Sequence, residues 1–373
     1  MKRQKLLVFI STLLVVLLLA GCTKSANPRE GAGASPSASD SGAQSSQPAE
    51  SAGAKTITIA YSQGAGQTMD PHEAGDLTSA SYAFALYDQL VTSGTEEKDG
   101  KTIGRTDKIE PSLAEKWTVS DDLKTYTFTL RDGVKFQSGN PVNADAVLYS
   151  FERVQTKGEG GSLYKLANIQ SVNKIDDRTV EFKLNAPNHL FLKYLATFTF
   201  SIVDPSVAKG QPDDYLTRHS AGSGPFSLEK WDPASEAVFV ANKNYWKGAP
   251  KVDKVIVKYV KEASNRELML EKGDVDVALD IPPKDVESLK QKDNVVIQSD
   301  STNRIVYLGM NAKFKPFDQL KVRQAINYAI DQQKLIQSVM YGQASPMTSS
   351  ISSKSPAHTS EGNPYKFDLE KAK

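Results

Sequence analysis

The sequence predicts a folded protein of mixed α and β structure. Apolar and polar residues alternate at Lys55–Tyr61, which indicates a half-buried strand. At Ala144–Val154 the apolar residues Val147, Leu148 and Phe151 recur at helical spacing, which indicates an amphipathic helix. A composition of 39% apolar and 24% charged residues is typical of a globular protein, and 373 residues suffice for two domains.

The N-terminal residues predict export from the cytoplasm. Lys2, Arg3 and Lys5 precede an uncharged apolar run, Leu6–Ala20, which small residues follow. This arrangement predicts a secretory signal peptide at residues 1–21. The apolar run is shorter than the roughly 20 residues that a bilayer core requires, and polar sequence follows at once. A transmembrane anchor is therefore disfavoured.

The end of that apolar run carries a second signal. The segment Leu19-Ala20-Gly21-Cys22 resembles the bacterial lipobox, in which the cysteine is lipidated and becomes the new N-terminus. Cys22 is the only cysteine, so no disulfide can form within the chain. The resemblance implies a diacylglyceryl group on Cys22, which supplies the two acyl chains that stable anchoring needs. We expect the protein on the outer face of the cell membrane, whether extracellular or periplasmic.

Residues 22–54 are predicted to be the lipidated cysteine and a flexible linker. The segment Thr23–Ala54 is rich in Ser, Ala, Gly, Pro and Gln and contains no aromatic residue. It therefore has nothing with which to build a core. A tether of this kind lets a folded part move freely above a membrane.

The charge balance argues against one class of partner. The 45 basic and 44 acidic residues leave a formal net charge of +1. Nucleic-acid binding needs clustered lysine and arginine to neutralise phosphates. We therefore expect no nucleic-acid partner.

Strand alternation and helical spacing also predict the other strands and helices of the folded part, which follow here in chain order. After the strand at Lys55–Tyr61, a loop with Gly64 and Gly66 leads to a predicted helix at Ser79–Val91. Within the loop, Asp70-Pro71-His72 predicts a turn in which the aspartate bonds to its own backbone. The remaining predicted strands are Tyr126–Leu130, Val134–Phe136, Arg178–Leu184, Phe226–Trp231, Ala237–Ala241, Val252–Val260, Val275–Leu279, Val295–Gln298 and Arg304–Met310. The remaining predicted helices are Ala144–Val154, Leu190–Ala196, Asn265–Lys272, Pro283–Lys290 and Gln319–Ala329.

The stretch from Tyr126 to Arg153 predicts a compact strand, turn and helix. Asn143 is placed to cap the helix, and Gly133 permits the turn before it. We expect Arg131 and Asp145 to form an ion pair, and Glu152 and Arg153 to face water. Trp117, Trp231 and Trp246 are expected in the core, with ligand stacking as the alternative.

Catalytic and metal-binding motifs are absent from the sequence. Gly94–Thr102 ends like a phosphate-binding loop, but its glycine spacing is one residue too long and no helix pattern follows, which favours a polar hairpin. Two SxxK matches, Ser171 to Lys174 and Ser206 to Lys209, lack the partner motifs of serine acyl enzymes. The four histidines lie far apart in sequence, without metal-ligand spacing. We expect no enzymatic activity, no metal and no cofactor, although a triad assembled by the fold leaves no sequence pattern.

Four ordered motifs resemble a known family. They are Asp70-Pro71-His72; Pro111–Trp117 with Ser120–Asp122, Tyr126–Phe136, Gly139, Pro141, Ala144 and Asp145; Gly222–Phe226 before Asn244-Tyr245-Trp246; and Pro316-Phe317-Asp318 before Val322–Asp331. Together they resemble the family 5 extracellular solute-binding proteins, the peptide- and nickel-binding lipoproteins of ABC importers. The resemblance covers nearly everything after the linker, in the order of the family.

The resemblance implies a two-lobed α/β fold of the periplasmic-binding-protein type (type II, cluster C). Residues 55–304 would form the first lobe, with an inserted subdomain at about 100–205. Residues 305–373 would begin the second lobe. Family members usually continue well past this point, so the sequence is expected to be a C-terminally truncated fragment with an incomplete second lobe, and much of the specificity pocket would lie in the remaining part.

The resemblance also implies a function. A monomeric lipoprotein of this kind captures a dipeptide or oligopeptide in the cleft between its lobes. It then delivers the ligand to an ABC permease and, through it, to the ATPase subunits. By its position after the Asp70 turn, the loop Ala74-Gly75-Asp76 resembles the family segment that lines the ligand, with a plain surface loop as the alternative. Other solutes, namely a nickel chelate or an oligosaccharide, a receptor role for a peptide signal, and an exported enzyme are the rival functions.

Overall fold

A computed structural model describes residues 55–373 except 65, 99, 300, 301, 303, 354 and 356, and leaves out the side chain of Thr106. The predicted signal peptide, the lipidation site Cys22 and the linker lie outside the described residues. No helix in the described part of the chain is both long enough and apolar enough to cross a membrane.

The chain alternates between strands and short helices, as expected of an α/β protein. The strands are β1 Thr56–Tyr61, β2 Val91–Lys98, β3 Lys101–Pro111, β4 Ala114–Val119, β5 Thr125–Leu130, β6 Ile169–Asp176, β7 Thr179–Leu184, β8 Phe226–Asp232, β9 Glu236–Ala241, β10 Lys254–Tyr259 and β11 Val277–Ala278. The helices are α1 Leu77–Leu86, α2 Ala144–Thr156, α3 Gly158–Ala167, α4 Phe191–Leu195, α5 Pro205–Ala208, α6 Tyr215–Arg218, α7 Ala263–Lys272, α8 Val286–Leu289, α9 Leu320–Ala329, α10 Gln332–Ser338 and α11 Leu369–Ala372. Short 3-10 turns lie at Phe198–Phe200 and Pro283–Asp285.

The larger sheet has five strands in the order β11-β1-β10-β9-β8. Strand β1 runs parallel to both β10 and β11, whereas β10-β9 and β9-β8 are antiparallel. Helix α1 follows β1 in the chain, and its Tyr82 ring contacts Phe239 of β9 with ring centroids 5.0 Å apart. A hydrophobic cluster that includes Met69, Leu86 and Phe239 fills the space between α1 and this sheet.

The second sheet has four antiparallel strands in the order β4-β5-β7-β6. Burial alternates along β5 and β7, so that Phe128 and Phe182 point into the core. Their rings meet edge to face at 5.4 Å, and Phe151 of α2 contacts Phe182 at 4.8 Å. The alternation of Tyr126 with Thr127 and of Phe128 with Thr129, visible in the sequence, therefore builds a separate core under α2.

Most of the predicted elements are present within a few residues of the expected bounds. The Asn143 cap is confirmed, because its side chain accepts a hydrogen bond from the backbone N–H of Ala146 at 3.0 Å. The polar hairpin predicted at Gly94–Thr102 is confirmed, because Lys98 of β2 pairs with Lys101 of β3. Trp117, Trp231 and Trp246 are half-buried and pack against the two cores, which favours the core interpretation over ligand stacking.

Helix α1 ends at Leu86 instead of the predicted Val91. The carbonyl of Leu86 accepts hydrogen bonds from the N–H of Gly224 at 3.0 Å and from Nε2 of Gln137 at 3.1 Å. A Cβ atom on Gly222 would lie 2.0 Å from the same carbonyl oxygen, so the Gly-Ser-Gly segment can approach the helix end only without side chains. Val91 then begins a strand that pairs with β3.

Three predicted strands are not observed. Val134–Phe136 contributes only an isolated bridge between Lys135 and Pro141. Val295–Gln298 and Arg304–Met310 are irregular in the structure, and Val296 and Tyr307 are largely exposed. A strand forms only where a neighbouring strand accepts its backbone hydrogen bonds, and neither of these last two segments pairs with another among the described residues. The alternating pattern indicates strand propensity but does not identify a partner.

The predicted ion pair between Arg131 and Asp145 is wrong. Arg131 donates from Nε to the carbonyl of Ser112 at 2.7 Å, and its guanidinium lies over the ring of Trp246 at 5.0 Å. Asp145 pairs with Lys174 at 2.9 Å. Both residues therefore have partners from elsewhere in the chain.

Candidate functional site

The carboxyl ends of β1 and β10 define the candidate site. These parallel neighbours end together, since Tyr61 is paired with Tyr259. Beyond them lies an open groove of about 540 Å³, lined by Ser62, Gln63, Gly64, Pro233, Ala234, Tyr259, Val260 and Lys261. Ligands of open α/β sheets bind outside the carboxyl ends of the parallel strands, so the groove lies where a ligand is expected.

Asp76, one of the three predicted ligand residues, caps helix α1. Its carboxylate accepts hydrogen bonds from the backbone N–H groups of Thr78 at 3.1 Å and Ser79 at 3.0 Å. It also accepts from the N–H of Gln67 at 3.3 Å, which ties the cap to the loop after β1. Partial burial acts to raise the pKa of Asp76, but these hydrogen bonds outweigh it and hold the pKa below its usual value.

Ser79 and Gly66 complete the attachment of that loop to α1. The hydroxyl of Ser79 accepts from the N–H of Gln67 at 2.9 Å and of Thr68 at 3.1 Å. Gly66 has a φ of +68°, and a Cβ there would lie 3.0 Å from the Ser79 hydroxyl oxygen. Only glycine satisfies both the left-handed backbone and this close contact. The groove wall that follows β1 is thus held by the first turn of α1.

The other two predicted residues differ in their access to solvent. Ala74 is buried, whereas Gly75 is exposed. A side chain at Gly75 would meet Cγ of Glu159 at 3.2 Å. Gly75 therefore exposes its backbone, whereas the side chain of Asp76 is occupied in capping α1. None of these observations involves a ligand, so the ligand role of Ala74, Gly75 and Asp76 stays a prediction.

A buried cluster of Asp70, His72 and Arg153, which the sequence did not reveal, includes the residues directly before this loop. Asp70 is fully buried and forms a bidentate ion pair with Arg153, whose Nη1 lies 2.8 Å from Oδ1. Arg153 also donates to Nδ1 of His72 at 2.9 Å, so Nε2 carries the proton and donates to the carbonyl of Ser201 at 3.0 Å. The expectation that Arg153 faces water is therefore wrong. The predicted Asp70 turn is confirmed, because the N–H of His72 donates to Oδ1 of Asp70 at 3.0 Å.

Burial and charge determine the protonation of this cluster. Burial lowers the pKa of His72 to about 4, and the positive charge of Arg153 acts in the same direction. Burial would raise the pKa of Asp70, but the hydrogen bonds and charge of Arg153 hold it below its usual value. At neutral pH the cluster is an ionised carboxylate, a guanidinium and a neutral imidazole. No sequence signal indicated the pair, because its members lie 83 residues apart.

Aromatic side chains are hydrogen-bonded to Tyr259, which lines the groove. The hydroxyl groups of Tyr82 and Tyr259 lie 3.1 Å apart, and Nε1 of Trp231 donates to Tyr259 at 3.1 Å. Burial raises the pKa of Tyr82 far above its usual value, and it also raises that of Tyr259. These groups therefore act as neutral hydrogen-bonding partners.

Arg266 connects the chain segments that leave β10 and β11. Its side chain is buried and donates to four carbonyl oxygens: Val260 at 2.9 Å, Lys261 at 2.8 Å, Leu279 at 2.9 Å and Asp280 at 2.6 Å. Two of these residues line the groove. Five fixed donors in a planar fork make arginine suited to such a role. The sequence does not indicate this role of Arg266, because an arginine on a helix is usually exposed to solvent.

The two SxxK matches have structural roles. Ser206 binds Asp204 through both its N–H at 2.8 Å and its hydroxyl at 2.6 Å, at the start of α5. Lys174, which lies on β6 with Ser171, pairs with Asp145 and Asp177. Neither serine is hydrogen-bonded to the lysine of its motif.

A family profile and several relatives match this chain. The profile described as bacterial extracellular solute-binding proteins, family 5 Middle, matches residues 108–373. The probable D,D-dipeptide-binding periplasmic protein of Escherichia coli (strain K12) is 33% identical over 311 residues, which are 82% of this chain and 59% of the relative. The glutathione-binding protein of Salmonella typhi is 32% identical over 308 residues, which are 82% and 58% of the two chains. The chain thus spans less than two thirds of the length of these curated relatives.

Solved structures share the fold. An ABC transporter-associated periplasmic binding protein from Helicobacter pylori, in complex with the peptide STSA, superposes with a TM-score of 0.77 at 29% identity. The match covers 85% of this chain and 64% of the other. The oligopeptide-binding protein of Bacillus subtilis, in complex with a nonapeptide, gives a TM-score of 0.75 at 25% identity over 85% and 62% of the two chains. The predicted α/β fold of the periplasmic peptide-binding type is confirmed.

Proposed function

The chain belongs to the bacterial extracellular solute-binding proteins of family 5, and on that premise we propose that it captures peptides outside the cell for import by an ABC transporter. The single observation that carries the peptide assignment is the match to the Helicobacter pylori protein, whose structure holds a peptide. Because the family consists of solute-binding proteins, the expectation that the chain is not an enzyme is confirmed at the level of the family.

The groove beside β1 and β10 supports the proposal. Its walls contain Gly64, whose backbone is exposed, and polar side chains at Ser62 and Gln63. An extended peptide can be bound through its backbone by such walls, with looser contacts to its side chains. The rigid attachments of the groove at Ser79 and Arg266 keep these groups in place before a ligand arrives.

Capture then leads to delivery. In the two-lobed arrangement that we propose, the ligand enters an open cleft and binds the closed arrangement of the lobes more tightly than the open one. The equilibrium therefore shifts towards closure, and the permease recognises the closed state. A lipid on Cys22 and the linker would keep the protein at the membrane that holds the permease.

A second candidate ligand class comes from another structure. The AgaA protein in complex with agropinic acid is 28% identical and gives a TM-score of 0.71 over 85% of this chain. A non-peptide solute therefore competes with the peptide assignment on the same scaffold.

Mass spectrometry of the co-purifying ligand tests the proposal. The full gene product is expressed without its signal peptide and Cys22, purified, denatured, and the released small molecules are identified. A ladder of short peptides is the expected result, and its lengths give the size preference. An acid such as agropinic acid, a saccharide, a metal chelate, or nothing from correctly folded protein would overturn the peptide assignment and leave the family membership intact.

A further inference from the structure

We propose that the carboxylate of Asp280 binds a cationic group of the ligand at the rim of the groove. The inference rests on the proposed function and adds a specificity residue to it. The chemistry is that of an ammonium or guanidinium group, which a peptide carries on a basic side chain.

Two groove residues hold the Asp280 side chain at this rim. Its Oδ2 accepts hydrogen bonds from the hydroxyl of Ser62 at 2.5 Å and from Nε2 of Gln63 at 3.4 Å. Both donors line the groove. The carboxylate therefore lies beside the open space in a fixed orientation.

The backbone of Asp280 is held as firmly as its side chain. Its carbonyl accepts from Nη2 of Arg266 at 2.6 Å, and the preceding Leu279 donates its N–H to the carbonyl of Ala60 in β1 at 2.9 Å. Asp280 has a φ of +55°, in the left-handed region that few residues other than glycine, asparagine and aspartate occupy. Uncommon backbone geometry that the surrounding contacts maintain is concentrated at functional sites.

The charge of Asp280 is available to a ligand. The residue is exposed, and its carboxylate is hydrogen-bonded to the neutral Ser62 and Gln63 without an ion pair to a lysine or arginine among the described residues. The groove also carries Lys261, so its two charges are of opposite sign. A zwitterionic ligand such as a peptide meets both charges, and hydrogen bonds to an ionised group are stronger than those between neutral groups.

The test compares Asp280→Asn with the wild type in the full gene product. Asparagine has nearly the same shape and tolerates the left-handed backbone, so the change removes charge with little strain. Titration calorimetry is carried out with alanine tripeptides and tetrapeptides that carry lysine or norleucine at one position, with free or acetylated amino termini. We expect Asp280→Asn to weaken binding of the preferred cationic peptide by roughly tenfold and to leave its neutral analogue unaffected.

The peptide set identifies the source of the cation. Loss of the Asp280 effect on replacing lysine by norleucine is expected and assigns the site to a basic side chain. Loss of the effect on acetylation alone would overturn the proposal in favour of the amino terminus. Asp122→Asn is the matched control, because Asp122 also accepts from a serine hydroxyl, that of Ser120 at 2.6 Å, but lies in the turn between β4 and β5.

Two negative outcomes are distinguishable. If the wild type binds these peptides and Asp280→Asn binds every one of them equally well, the Asp280 proposal is overturned and the peptide function stands. If the wild type, confirmed as folded, binds none of the peptides and contains another solute, the proposed peptide function fails and the Asp280 assignment falls with it.

Discussion

At the scale of single residues, the protein uses buried charge to support a loop. Asp70, His72 and Arg153 come from two distant segments and satisfy one another inside the core. Removing one partner of such a pair leaves an uncompensated buried charge, which typically costs about 3–5 kcal/mol. The cluster lies directly before Ala74-Gly75-Asp76, so its integrity determines where that loop begins.

The depressed pKa of His72 predicts an acid-sensitive stability. Its pKa is about 4 in the folded protein and 6.5 in an unfolded chain, so the unfolded state takes up a proton first as the pH falls. The contribution of the neutral imidazole is complete above pH 6.5 and is lost as the pH falls towards 4, by about 3 kcal/mol. Denaturant unfolding between these pH values should show a shallower pH dependence for His72→Gln than for the wild type.

The exposed His189 supplies the control for that measurement. His189→Gln should leave the pH dependence unchanged. Equal slopes for the wild type and His72→Gln would show that the buried imidazole does not govern acid stability, and that carboxylates elsewhere do.

The proposed lipidation predicts how a variant of Cys22, a residue outside the described part of the chain, distributes in cells. Changing Cys22 to Ala removes the acceptor of the proposed diacylglyceryl group, so the variant should leave the membrane fraction of cells and enter the soluble extracellular or periplasmic fraction. Fractionation followed by immunoblotting measures this, with Ser25→Ala in the linker as the control. Membrane association that persists in Cys22→Ala would contradict the lipid anchor.

At the scale of elements, turns and helix ends are determined by special backbone geometry. Gly133 has a φ of +71° in the turn that follows β5, and a Cβ atom added there would meet no other atom within 4 Å. Asp76 and Asn143 cap α1 and α2 with their side chains. Gly133 and the Asn143 cap explain why a strand, a turn and a helix pack closely between Tyr126 and Arg153.

Gly133→Val should destabilise the fold without altering ligand choice. Because the space is open, the cost is backbone strain alone, about 1–3 kcal/mol for a β-branched residue at positive φ. Gly104→Val is a matched control: that glycine also has open space around it, but its φ is outside the left-handed region. Denaturant unfolding measures the free-energy difference, and the ligand panel above measures specificity. An altered specificity in a stably folded Gly133→Val would place this turn in the binding site.

At the scale of the whole molecule, two separate cores underlie two sheets. The cluster around Phe128 and Phe182 belongs to the four-stranded sheet, and the cluster around Met69 and Phe239 belongs to the five-stranded one. The groove lies on the five-stranded sheet, at the parallel strands β1 and β10. The contacts with ligand that we propose for the described residues therefore lie at the carboxyl ends of two parallel strands of the five-stranded sheet.

Ligand binding should change the whole molecule in two measurable ways. If the ligand shifts the population towards a closed state, X-ray scattering from the full gene product should show a smaller radius of gyration when ligand is added. The same ligand at 100 times its dissociation constant should stabilise the folded state by about 2.7 kcal/mol. Stabilisation with an unchanged radius of gyration would indicate binding to a preformed site and would contradict closure.

The sequence by itself determined the fold class, the family and most of the elements. Strand alternation in β5 and β7, the helical repeat of α2 and its Asn143 cap depend on neighbours along the chain, and so they could be recognised without a structure. The Asp70 turn was also predictable, because the side chain bonds two residues onward.

Only the tertiary structure decided which distant residues meet. The Asp70–Arg153 pair, the true partners of Arg131 and Asp145, the four carbonyls on Arg266 and the early end of α1 all depend on contacts between segments far apart in the chain. The unformed strands at Val295–Gln298 and Arg304–Met310 illustrate the same limit. Local patterns record what each segment can form, whereas a hydrogen bond or an ion pair needs a partner that only the folded chain brings into reach.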